Sequence, residues 1–524
     1  MRHRAACAAQ VCTREDMPAM QQYYLRRTAG ILLPIFSLPG GWGMGSLGQP
    51  AYDFLQFLQA AGQHVWQILP VGPTGCANSP YQSPSAFAGS PDLIDMDLLI
   101  ADGLLQKADC AALRWGRNQN RVDYALVQAN HSLLLQKAYA AWKARRPVPG
   151  CDTHRDEDFN AFLCRTKDWL EDYALYMVLK AENSGLDWQH WPEAQRARRP
   201  EALARVQQEK SDELEYWRFV QYEFDRQWQL LRQKAAQCDV RIMGDMPIYV
   251  SADSADAWAG SDLFETDEKG FPIRVAGCPP DFFCADGQHW GNPLYAWPNH
   301  KKTGYAWWIR RMRAALRIFD LVRIDHFRGF DTYWAIPAEA KTARAGKWEK
   351  GPGLELFEAM EHAIGPLPVV AEDLGESSDS VRQLLADSRF PGMKVLQFAF
   401  SGGENDFLPH NHMQNCVVYP GTHDNTTLAD WLAHAPEHER SFAKRYMPAA
   451  KGESPVRAIV RTALASPAKL AVIPLQDWLE EGAAARINTP GTVENNWCWR
   501  VGAGQCTPAL ARQIHDLSET YLRV

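Results

Sequence analysis

The chain has 524 residues, 46% of them apolar, and carries a net charge of −7 from 62 acidic and 55 basic side chains. That balance argues against nucleic acid as the main partner, since a phosphate backbone calls for a basic face. No run of about 18 apolar residues occurs, so no membrane span is expected.

The length exceeds what one ordinary core serves, although barrels with large insertions reach it as a single fold. The N-terminus, MRHRAACAAQVCTRED, lacks the apolar segment of a secretory signal. Twelve scattered cysteines with no CxxC spacing read as reduced thiols of a cytoplasmic protein, and no Cys/His spacing suggests zinc. The 20 tryptophans fit either sugar-ring stacking or extra core bulk.

Residues 1–28 read as a polar tail. Gly30–Phe36 is a short buried strand, followed by a glycine-rich loop that matches no phosphate-binding pattern. Tyr52–Ala61 has helical spacing, and His64–Pro70 is a second strand. The alternation then stops. A Pro/Ser/Gly loop at 79–91 leads into a mainly helical stretch, with strong segments near 122–144, 158–181 and 212–236. It resumes with a third strand at 240–247, a loop-rich stretch over 248–304, a helix over 305–316 and a fourth strand from Leu321. Further strands are expected at 368–375, 393–398, 416–424 and 470–475, with helices at 378–387, 426–434 and 454–465. Eight strands in this order predict an α/β (β/α)8 barrel over 29–524, interrupted by a helical insertion at 76–238 and a loop-rich one at 248–304. An open doubly wound sheet is the alternative.

The fourth strand, LVRIDHFRGF (321–330), has an unusual face. Leu321, Arg323 and Asp325 share one side and Val322 and Ile324 the other. A guanidinium two residues from a carboxylate favours its ionised form, so Asp325 is either a nucleophile or half of a structural ion pair. Acids recur where barrel chemistry sits: Asp245 ends the third strand, Glu372 and Asp373 the fifth, and His423 and Asp424 the seventh. Clustered carboxylates suit a divalent metal or the nucleophile and proton donor of glycosidic chemistry. A metal would be repelled by Arg323 and Arg328. The aromatics Tyr81, Phe87, Trp258, Phe282, Phe283, Trp290, Tyr295 and Trp297 in the same loops suit a sugar. No metal and no cofactor are expected.

From residue 30 to 500 the chain carries GILLPIFSLPG (30–40), SPYQSPSAFAGSP (79–91), GDMPIYV (244–250), GCPPDFF (277–283), GQHWGNPLY (287–295), LVRIDHFRGF (321–330), VVAEDLG (369–375), GTHDN (421–425) and RINTPGTVENNWCWR (486–500). This ordered set resembles the amylomaltase-type 4-α-glucanotransferases of glycoside hydrolase family 77, in the α-amylase clan. The resemblance implies that Asp325 is the nucleophile, Glu372 the general acid/base and Asp424 the third carboxylate that holds sugar hydroxyls. It places Arg323 beside the nucleophile, His423 and Asp245 at the donor sugar, and Tyr81 and Asp281 near the donor and acceptor subsites. Trp290, Asn292 and His326 complete the expected substrate-binding set. The PPDFF loop is similar to the flexible loop that covers the family's active site.

The implied reaction is retaining transfer of α-1,4-glucan segments from a malto-oligosaccharide to the 4-hydroxyl of an acceptor glucan or glucose. Arg323 should keep Asp325 ionised, and neighbouring negative charge should keep Glu372 protonated. The acids alone serve a hydrolase of the α-amylase type equally well. A glucan-binding protein without activity is a further alternative.

Overall fold

A computed structural model describes residues 26–145, 154–280, 285–375 and 378–524. Among the described residues twelve strands run in chain order: β1 (Thr28–Leu32), β2 (Val65–Gln67), β3 (Arg241–Met246), β4 (Arg274–Cys278), β5 (Gln288–Pro293), β6 (Leu321–Ile324), β7 (Thr332–Pro337), β8 (Lys347–Lys350), β9 (Val369–Ala371), β10 (Gly392–Val395), β11 (Cys416–Tyr419) and β12 (Leu470–Pro474).

Eight of these close a parallel barrel in the order β1-β12-β11-β10-β9-β6-β3-β2. The contact of β1 with β12, with Thr28 opposite Leu470 and Leu32 opposite Pro474, closes the ring and excludes the open-sheet alternative. Parallel staves are covered on both faces, which is why they read as short apolar runs. Alternate residues divide between two environments. Leu32, Val65, Met243, Leu321, Val370, Met393, Val417, Tyr419 and Val472 fill the barrel interior. Ile31, Trp66, Ile242, Val322, Ile324 and Val418 face outward into the helical layer. Gly244 faces that layer too: a Cβ there would sit 2.2 Å from the Phe319 ring, so glycine lets the ring lie against the strand.

Between β2 and β3 lie the helices Tyr124–Ala144, His154–Thr166, Leu170–Glu182, Pro200–Glu209 and Ser211–Gln237. The single segment expected over 158–181 is two helices, broken before Leu170 at Trp169, whose φ of −141° is not helical. Asp123 starts the first of the five by accepting a hydrogen bond from the Leu126 N–H. Among the described residues no helix is long and apolar enough to cross a membrane.

The loop-rich reading of 248–304 needs revision. That stretch supplies β4 and β5, which join β7 and β8 in an antiparallel sheet ordered β5-β4-β7-β8. Its strands evade a period-two reading. β4 slips register between Val275 and Gly277, and β5 is the polar run QHWGNP.

The tail reading of residues 1–28 also shifts. Residues 1–25 lie outside the described part, while Thr28 already belongs to β1. Arg27 donates to the carbonyls of Leu464, Ser466 and Tyr521. Fully buried Arg523 donates to those of Thr28, Leu464, Ser466 and Ala468 at 2.6–2.9 Å. These two guanidiniums satisfy carbonyls of β1, of the helix Pro455–Ala465 and of the segments beside the β1–β12 seam.

Candidate active site

The interior parity of the strands runs on past their carboxyl ends. Met243 is an interior residue, so Asp245 is the next on that side; Leu321 is followed by Arg323 and Asp325, and Val370 by Glu372. Register brings these side chains together. Asp245 lies opposite Arg323 across β3 and β6. Ile324 lies opposite Ala371 across β6 and β9, so Asp325 and Glu372 follow side by side on adjacent strands.

Arg323 is the hub. One of its terminal nitrogens, Nη1, donates to both carboxylate oxygens of Asp245, at 2.7 and 2.8 Å, and to Asp325 Oδ1 at 3.0 Å. The Asp245 carboxylate is wholly buried, whereas Asp325 keeps 28% of its side chain in solvent. Asp245 also accepts from Tyr81 Oη at 2.9 Å. With that proton spent, Tyr81 Oη accepts at 2.8 Å from His423 Nε2, which sets the imidazole tautomer. The two rings stack with centroids 5.7 Å apart, and Trp497 leans on both.

Glu372 is held by backbone. After β6, His326 adopts left-handed geometry at φ +49°, which turns its N–H onto Glu372 Oε2 at 2.7 Å. The Leu374 N–H holds Oε1 at 2.9 Å. The His326 ring meets Trp290 edge-on at 4.9 Å. Asn292 accepts from Gln82 at 3.0 Å and donates to the Val250 carbonyl, which fastens the β5 rim to the loop that carries Tyr81.

Asp424 stands on the turn after β11. Asn425 accepts from the Thr422 N–H and hydroxyl at 2.9 Å each and fixes that turn. The Asp424 side chain is 41% exposed, and one of its oxygens accepts from Asn488 at 2.6 Å.

Both carboxyls hold their protons more tightly than free acids do. Burial pushes the Asp325 carboxyl above the ordinary range; Arg323 pulls it down, and Asp245 and Asp424 push it up again. Burial raises Glu372 as well, opposed by Arg323 and assisted by the charge of Asp325. Arg323 thus acts in the expected sense on Asp325 but does not outweigh burial. Of the two carboxyls, it is Asp325 that Arg323 bonds directly. Burial also lowers His326, to about 3, with Arg328 contributing, and lowers His423, so both imidazoles are neutral at pH 7.

A family model for 4-alpha-glucanotransferase, glycoside hydrolase family 77, matches residues 33–505. The chain belongs to that family. It is 43% identical over 502 residues to a Streptococcus pneumoniae 4-alpha-glucanotransferase, covering 95% of this chain and 98% of that one. It is 44% identical over 508 residues to the Thermus thermophilus enzyme, covering 95% and 100%. The structure of an amylomaltase from Streptococcus agalactiae in complex with acarbose aligns with a TM-score of 0.91 at 36% identity, over 95% of this chain and 100% of that one.

Within this family 77 chain, Tyr81, Asp245, Arg323, Asp325, Glu372, His423 and Asp424 gather at one mouth of the barrel, while Trp290, Asn292 and His326 stand at its rim. Asp281, Phe282 and Phe283 lie outside the described residues. Trp258 and Tyr295 are only 1% exposed and belong to the core, not to a sugar-stacking surface. Arg328 lies over the Trp348 ring, 4.0 Å from its centroid. Sequence reasoning assigned no role to Asn488, Arg486 and Trp497. Arg486 donates to the Asp424 carbonyl at 2.8 Å, and the Asn488 N–H to that of His423 at 3.1 Å. These contacts join segments more than 60 residues apart, which no local pattern signals; only the run RINTPGTVENNWCWR drew notice to them.

Proposed function

We propose that the chain moves α-1,4-glucan segments between malto-oligosaccharides by double displacement at Asp325 and Glu372. The observation that carries this is the side-by-side placement of the two carboxyls, with the Arg323 guanidinium bonded to Asp325. An ionised Asp325 oxygen attacks the anomeric carbon. The bond to the leaving 4-oxygen breaks as that oxygen takes the Glu372 proton, and a glycosyl-aspartate remains. An acceptor 4-hydroxyl then attacks the same carbon. Glu372 takes its proton, Asp325 departs, and the configuration is retained.

The supporting cast divides by charge. Arg323 lowers the proton affinity of Asp325, and the Asp245–Tyr81–His423 chain fixes the wall against which the donor sugar lies. Asp424, oriented by Asn488, is placed to accept from sugar hydroxyls. The unpaired thiols, Cys110 and Cys416 among them, suit a cytoplasmic setting.

Incubation with maltotriose tests the reading. Transfer gives glucose together with a ladder of longer oligomers, whereas shorter sugars alone identify a hydrolase and overturn the proposal.

A further inference from the structure

A second cavity, of about 320 Å³, lies behind the Tyr81–Asp245 wall. Both residues line it, but Asp325, Glu372 and Asp424 do not. It opens to solvent and is bounded by the 80–89 loop, the helix Ala306–Ile318 and two helices that precede β3, His154–Thr166 and Ser211–Gln237.

Its charge is the reverse of the chain's. Among the described residues it is lined by five arginines, Arg165, Arg310, Arg311, Arg313 and Arg317, against three aspartates. Asp245 is committed to Arg323 on the far side of the wall. Buried Asp225 holds Arg165 and Arg317 at once, so these two guanidiniums share one bonded carboxylate, and exposed Asp168 is the remaining acid of the lining. Arg311 spends its donors on the carbonyls of Pro247 and Ile248 and on the Tyr295 hydroxyl, none of them anionic. Arg310 is exposed and makes no ion pair among the described residues. Arg313 donates to the Ala363 carbonyl, so Arg165, Arg310 and Arg317 are the guanidiniums left to a ligand; they are poorly served by an uncharged glucan and well served by phosphate, whose oxygens match the planar fork.

The remaining wall is apolar. Phe87 and Trp169 stack within it, and Tyr249 and Phe224 complete it. Small-molecule pockets run from about 300 to 1,000 Å³, so this one is of the size for a single sugar ring with its ester. We propose that the cavity binds a phosphate-bearing monosaccharide, with the ester among Arg165, Arg310 and Arg317 and the ring against Trp169 and Phe87.

Titration calorimetry on the full chain decides this, with glucose 6-phosphate, inorganic phosphate and glucose as probes. The expected result is saturable one-to-one binding of the ester and weaker binding of inorganic phosphate. Arg165→Gln leaves Asp225 its second partner, and Arg310→Gln removes an exposed charge. Each should weaken the ester at least about tenfold, a factor that corresponds to losing one good charged contact. Neither should change glucose binding, the melting temperature or maltotriose turnover. Absence of saturable ester binding up to about 10 mM overturns the proposal, as does ester binding that neither substitution moves. Inorganic phosphate binding as tightly as the ester refutes the sugar half and leaves a bare anion site.

Discussion

Arg323→Met removes the cation that touches both Asp245 and Asp325. At 3.0 Å and an effective dielectric of about 20, its attraction for Asp325 is about 5 kcal/mol, or about four pKa units. Asp325 keeps 28% of its side chain in water, so solvent screening reduces the expected change to about one or two units. Arg323 lowers the proton affinity of both acids, and its loss raises both. Turnover requires Asp325 ionised and Glu372 protonated, so kcat/KM against pH is a bell whose limbs belong to the coupled pair. Both limbs move to higher pH in the variant, and the acidic limb moves further because Arg323 bonds to Asp325 directly. The assay is initial glucose release from maltotriose across pH. An acidic limb that stays in place, or moves down, refutes the reasoning. The substitution also leaves the Asp245 carboxylate buried without a counter-charge, at a cost of about 3–5 kcal/mol. Arg323→Lys keeps a charge without the fork, and its acidic limb should stay within about one unit of the parent. That second variant keeps the test readable even where the Met variant does not fold.

Asp325→Asn removes the attacking oxygen and should abolish maltotriose turnover; activity within about tenfold of the parent contradicts its role as nucleophile. Glu372→Ala should cost about 10²–10⁴ on maltotriose and far less on α-glucosyl fluoride, whose leaving group needs no proton; equal losses on both would count against the acid role. Arg523→Met removes the guanidinium from the Thr28 and Ala468 carbonyls, while those of Leu464 and Ser466 keep Arg27, and it should lower stability by about 2 kcal/mol or more. Its urea midpoint should fall while kcat per folded molecule is kept, and an unmoved midpoint refutes the clamp.

The barrel was legible because its staves are buried on both faces, so Val369–Ala371 or Leu470–Pro474 stand out as apolar runs between helices. The catalytic acids were legible by position: a carboxylate that follows such a run has no cheap place in the interior. The sheet β5-β4-β7-β8 was not legible. β8 reads KWEK and β5 QHWGNP, and the sheet is joined through β4 and β7, where Arg274 lies opposite Pro337 across 63 positions. In the same way, nothing local to Asn488 reveals that it holds Asp424, a contact across 64 positions. The buried ring of Trp258 looked like its sugar-facing counterparts because composition does not distinguish a core indole from a platform.

The pairing of β1 with β12 has a consequence for synthesis. A chain growing from its amino end carries seven staves with β1 and β11 as open edges until residues 470–474 emerge. Such edges present unpaired backbone to any neighbouring strand, so the nascent chain is exposed to misassembly for most of its elongation. Asp325, Glu372 and Asp424 are all laid down before that strand, but Asn488 follows it. Ring closure and the final support of Asp424 therefore arrive together, and a ribosome-bound intermediate holds its acids without a site in which to use them.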